Sequence, residues 1–140
     1  MIIGKFSSKG DVGVSGGVTE ESDPVFVEKC LSADSIALGN GASSPYVGSI
    51  AIGTNTLAAG SQSIAIGFQA LPYDYSVAIG GGTEAGNNGI AIGSNAKGGN
   101  ESIALGYNAL TEYQQYCIAI GNNANVNGEG GVAIGYNAYS

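Results

Sequence analysis

From Ser35 onward this 140-residue chain repeats one short motif eight times. The units are SIALGNGA (35–42), SIAIGTNT (49–56), SIAIGFQA (63–70), SVAIGGGT (76–83), GIAIGSNA (89–96), SIALGYNA (102–109), CIAIGNNA (117–124) and GVAIGYNA (131–138). Successive units start 13 to 15 residues apart. Such self-similarity constrains the fold more than any other property of the chain, because each unit must be one supersecondary step of a stacked array.

Each position has a physical reading. An apolar–Ala–apolar triplet alternates with period two, as a short strand does. Its outer residues are mostly β-branched and suit a pleated surface. The triplets supply sixteen aliphatics, which we read as the repeat core: Ile36, Leu38, Ile50, Ile52, Ile64, Ile66, Val77, Ile79, Ile90, Ile92, Ile103, Leu105, Ile118, Ile120, Val132 and Ile134. The alanine between them points to the opposite face, where a second backbone or chain must lie close. A glycine follows every strand (Gly39, Gly53, Gly67, Gly80, Gly93, Gly106, Gly121, Gly135) and is expected to take positive φ at a turn. Asn55, Asn95, Asn108, Asn123 and Asn137, two residues further on, suit a turn or a side-chain ladder between coils.

A period of 13–15 residues is too short for a helical repeat or a propeller blade, each of which needs roughly 33 residues or more. It fits one coil with two short strands and two turns. Three-sided hexapeptide coils need a longer period. Calcium-binding nonapeptide rolls need a ladder of Asp that this chain lacks. We therefore expect an all-β parallel solenoid of about eight coils, a β-roll, over residues 35–140. Two aliphatics per coil make a thin core, so a homo-oligomer packed through the alanine face is expected.

Composition narrows the function. The chain has no His, no Trp and only 4 basic residues against 11 acidic ones, a net charge of -7. Without His there is no Ser–His–Asp or Cys–His site and no common metal ligand. Scattered carboxylates do not form a glycosidase pair. Neither a nucleic acid nor an anionic membrane finds the basic patch it needs. No enzyme activity, cofactor, metal site or membrane insertion is expected. Cys30 and Cys117 match no metal or redox spacing and read as small buried thiols, with a disulfide between them left open.

The S-[IV]-A-[IL]-G-x-N-A unit strongly resembles the YadA-like head repeats of trimeric autotransporter adhesins, which also occur in bacteriophage fibre and tail proteins. The resemblance covers residues 35–138. It implies a left-handed roll and a homotrimer. The chain shows no secretory signal, heptad stalk or membrane anchor. From this we expect a non-enzymatic virion fibre or decoration protein, made in the host cytoplasm and bound to other virion proteins through residues 1–34. The alternative is an adhesin head on the bacterial outer surface, binding host matrix, glycan or surface protein. An ice-binding solenoid would want a regular rank of Thr, and only Thr56 and Thr83 are equivalent.

Residues 1–34 do not repeat and read as a cap or docking segment, with strand candidates in MIIGKF, DVGVSGGV and PVFVEKCL. Exposed Tyr beside Asn and Gln suits glycan or protein contact. The variable stretches LPYDY (71–75) and LTEYQQY (110–116) therefore make Tyr73, Tyr75, Tyr113 and Tyr116 the candidate recognition residues.

Overall fold

A computed structural model describes residues 12–14, 29–30, 32, 34–111 and 114–140. Every regular element among them is a strand. One parallel sheet contains the eight repeat triplets, Ile36–Leu38, Ile50–Ile52, Ile64–Ile66, Val77–Ile79, Ile90–Ile92, Ile103–Leu105, Ile118–Ile120 and Val132–Ile134. Val12–Val14 adds a ninth strand beside Ile36–Leu38. The register is equivalent-on-equivalent throughout, so Ala65 lies between Ala51 and Ala78. A second parallel ladder runs through Lys29–Cys30, Ser43–Ser44, Leu71–Pro72, Glu84–Ala85 and Lys97–Gly98. Single bridges at Leu57, Leu110, Asn125 and Tyr139 extend it. The molecule is thus a parallel β-solenoid of about seven complete turns. MIIGKF lies outside the described residues.

Two tight turns close each coil, and both place a residue of positive φ third. The first runs from the repeat glycine to the eighth position, as where Ala42 N–H donates to the Gly39 carbonyl at 3.1 Å. Its third residue has positive φ: Gly41 and Gly82 at 69° and 66°, Asn55, Asn95, Asn108, Asn123 and Asn137 at 52–57°, and Gln69 at 55°. A positive φ at the third residue is what a type II turn demands, and Gly and Asn tolerate it best. The second turn ends on the first residue of the next unit, as where Ser49 N–H donates to Tyr46 O at 3.2 Å. Its third residue is again left-handed: Asp34, Gly48, Gln62, Tyr75, Asn88, Glu101, Tyr116 and Gly130. Buried Ser hydroxyls brace this corner. Ser49, Ser63 and Ser76 each donate to the carbonyl three residues back at 2.7 Å.

The repeat glycines adopt φ of 124–135°, far outside the range of other residues. They also stack on one another. A methyl group on Gly39 would stand 2.5 Å from the Gly53 carbonyl oxygen.

The interior corrects the expected core. Fully buried positions are the triplet alanines and the small residues facing them, such as Ala42, Thr56, Ala58, Ser63 and Ala70. The triplet alanines run from 0% to 3% exposed. Among the described residues the largest fully buried side chain is Val126. None of the sixteen aliphatics is buried: most are half-buried, and Ile36, Ile92, Val132 and Ile134 are exposed. The faces are therefore the reverse of those expected. The two sheets approach so closely that only Ala, Ser, Thr and similar side chains fit between them, and Ile and Leu must point outward. Packing between chains through the alanine face is excluded, because that face is the inside of the coil.

Candidate interaction surfaces

The outward aliphatics form two columns along the solenoid. Isoleucine stacks on isoleucine from coil to coil, as Ile50, Ile64 and Val77 in one column and Ile52, Ile66 and Ile79 in the other. Contiguous exposed apolar surface of this kind makes a candidate interface. Phe68, Tyr107 and Tyr136, each directly after a repeat glycine, are 51–76% exposed.

The Tyr candidates do not form one patch. Tyr75 and Tyr116 occupy left-handed corners three coils apart, with Asn88 and Glu101 at the equivalent corners between them. Both rings are more than half exposed. The Tyr116 hydroxyl hydrogen-bonds the Glu101 carboxylate, and that bond with the nearby negative charge raises the Tyr116 pKa above the ordinary tyrosine value. Tyr113 lies outside the described residues.

Tyr73 sits elsewhere, on the second ladder. Its ring lines a groove of about 380 Å³ with Glu84, Gly86, Asn87, Gly99 and Asn100. Sequence reasoning named Tyr73 but not its companions, since only the lateral register of three coils brings them together. Asp74, Asn87 and Asn100 form a ladder on one rim. Ser61 N–H donates to Asp74 Oδ1 at 2.8 Å, Asp74 N–H to Asn87 Oδ1 at 3.2 Å, and Asn87 N–H to Asn100 Oδ1 at 2.9 Å. On the other rim Lys97 Nζ lies 3.7 Å from Glu84 Oε2. A second ladder joins Asn108, Asn123 and Asn137, with Nδ2-to-Oδ1 distances of 3.3 and 3.1 Å.

Cys117 is a buried free thiol. It replaces the corner Ser of its coil and donates to the Gln115 and Gly128 carbonyls at 3.1 Å each. Among the described residues no group of three His, Cys, Asp or Glu is placed to hold a metal ion. Among the described residues there is no helix long and apolar enough to cross a membrane.

The family model of the YadA head domain repeat matches residues 47–70, 98–112 and 118–138. Among solved structures, the collagen-binding domain of the Yersinia adhesin YadA is similar at 31% identity and a TM-score of 0.67. The match covers 73% of this chain and 58% of that one, so the chain spans less than two thirds of that structure. No curated protein sequence matches.

Proposed function

Because the repeats of this chain are YadA-like head repeats, we propose that it is a non-enzymatic adhesive head that works as a homotrimer on the bacterial outer surface. The observation that carries the reading is the pair of aliphatic columns on the outer face of the first sheet. A single chain leaves them in water, and three chains packed around a common axis would bury them. Burying one such aliphatic side chain contributes about 2 kcal/mol, and the columns hold sixteen of them, fourteen Ile or Leu and two Val. Assembly through this face also explains why each coil tolerates an interior of alanine: the large apolar side chains serve the interface instead.

The similar Yersinia domain is a collagen-binding one. For this chain we carry over the broader role, attachment to a host surface or matrix protein. The family match and the structural likeness favour this reading over a virion fibre held through residues 1–34.

Sedimentation equilibrium tests the assembly. The chain is expected to sediment as a trimer, and an Ile66→Asp, Ile79→Asp double variant as a monomer. A stable, folded wild-type monomer overturns the reading. Adhesion is tested separately, by binding of the full chain to immobilised matrix proteins.

A further inference from the structure

We propose that the groove beside Tyr73 is a binding site for one neutral sugar ring, presented at the end of a host glycan. Two successive coils present glycine, Gly86 and Gly99, beside Tyr73. Gly86 starts the corner turn that Tyr46, Gly60, Tyr73 and Gly128 start in other coils, and it stacks on the Gly99–Asn100 backbone too closely for any side chain. At the usual strand spacing, two bare coils leave roughly 10 Å of floor beside the Tyr73 ring. Tyr73 is 41% exposed and walls one end.

The lining matches a pyranose and little else. A sugar ring has an apolar C–H face and a rim of hydroxyls. The Tyr73 ring offers a flat apolar face with a polar tip. Asn87 and Asn100 hold their Oδ1 atoms on backbone N–H groups at 3.2 and 2.9 Å. That fixes the two carboxamides one coil apart and commits each Nδ2 to donation. The Glu84 carboxylate, also in the lining, is a hydrogen-bond acceptor of the kind sugar hydroxyls use. The charge in the lining is the Glu84 carboxylate, so the groove disfavours an anionic sugar. It also lacks the aliphatic wall that a lipid or an apolar peptide side chain would need. The site rests on the adhesive reading for its biological role, but sugar binding is measured without reference to assembly or adhesion.

The test is saturation-transfer NMR on the full chain, with the methyl glycosides of glucose, galactose, mannose and N-acetylglucosamine as probes. N-acetylneuraminic acid is the anionic comparison. At least one neutral glycoside is expected to bind in the millimolar range. Tyr73→Ala abolishes that binding, and Tyr46→Ala, in the first coil, leaves it unchanged. Asn87→Asp keeps the Oδ1 acceptor but loses the Nδ2 donor, and Asp74 shows that the ladder accepts an aspartate. That variant is expected to fold normally and to bind about tenfold more weakly, the loss of one hydrogen bond of ordinary strength. Absence of binding by all four neutral glycosides overturns the proposal. So does binding that survives Tyr73→Ala, preference for the anionic sugar, or an extended peptide perturbing the groove when no glycoside does. Sedimentation as a monomer with sugar binding intact would sink the trimer and leave the groove standing.

Discussion

Gly67 stacks on Gly80 so closely that a methyl group on Gly67 would stand 2.5 Å from the Gly80 carbonyl oxygen. The same residue has φ of 129°. Two penalties therefore meet at one atom, a backbone angle closed to alanine and a collision with main chain that cannot move aside. Gly67→Ala is expected to destabilise the fold by about 3 kcal/mol. Gly128 has open space around its missing Cβ, and Gly128→Ala is expected to stay within about 0.5 kcal/mol of wild type. Urea denaturation of the two variants checks the contrast. Equal midpoints would show that the glycine stack does not limit the fold.

The alanine interior makes a second expectation. Ala65 is fully buried between Ala51 and Ala78. Ala65→Leu adds bulk where two sheets are held at alanine distance, and overpacking costs about 1–3 kcal/mol. A conventional core would treat Leu as a gain. Thermal unfolding decides the matter: a higher melting temperature for Ala65→Leu would mean that the coil has room the structure does not show.

The Tyr116–Glu101 contact predicts a pH effect. The hydrogen bond needs the neutral phenol, so the folded-state pKa of Tyr116 lies above its unfolded value. The resulting stabilisation is complete below about pH 10, the unfolded tyrosine value, and is lost as pH rises through the folded value. Titration followed by phenolate absorbance should show Tyr116 titrating above the ordinary tyrosine value. Glu101→Gln removes the charge and should bring Tyr116 down toward that ordinary value. The corner itself accepts glutamine, since Gln62 holds the equivalent position at φ 52°. If the late titration survives Glu101→Gln, Glu101 is not its cause.

Much of the fold was legible because the repeat encodes it residue by residue. The triplets are the strands, and the glycine after each one has the positive φ that only glycine adopts freely. Asn108, Asn123 and Asn137 join in a side-chain ladder as well as turning the chain. What alternation could not say is which face is inside. Hydrophobicity ranks Ile above Ala for burial, and that ranking misassigned the sixteen aliphatics. The deciding quantity is volume, set by how near two sheets come when turns are this tight. The second left-handed corner was invisible for another reason. Asp34, Gly48, Gln62, Tyr75, Asn88, Glu101, Tyr116 and Gly130 share a backbone angle but no side-chain chemistry. The groove at Tyr73 escaped sequence reasoning because it is assembled laterally, from residues of three coils that only stacking aligns.

The aliphatic columns repeat with every coil, and that regularity creates an ambiguity of alignment. A neighbouring chain slipped by one step would meet almost the same Ile and Leu side chains. Phe68, Tyr107 and Tyr136 interrupt the sameness in the third, sixth and eighth units. Their spacings of three and two coils act as a vernier. A one-coil slip superposes none of the three, and a slip of two or three coils superposes only one. A few unequal rings on an otherwise uniform surface are thus enough to give a monotonous rod a single zero mark.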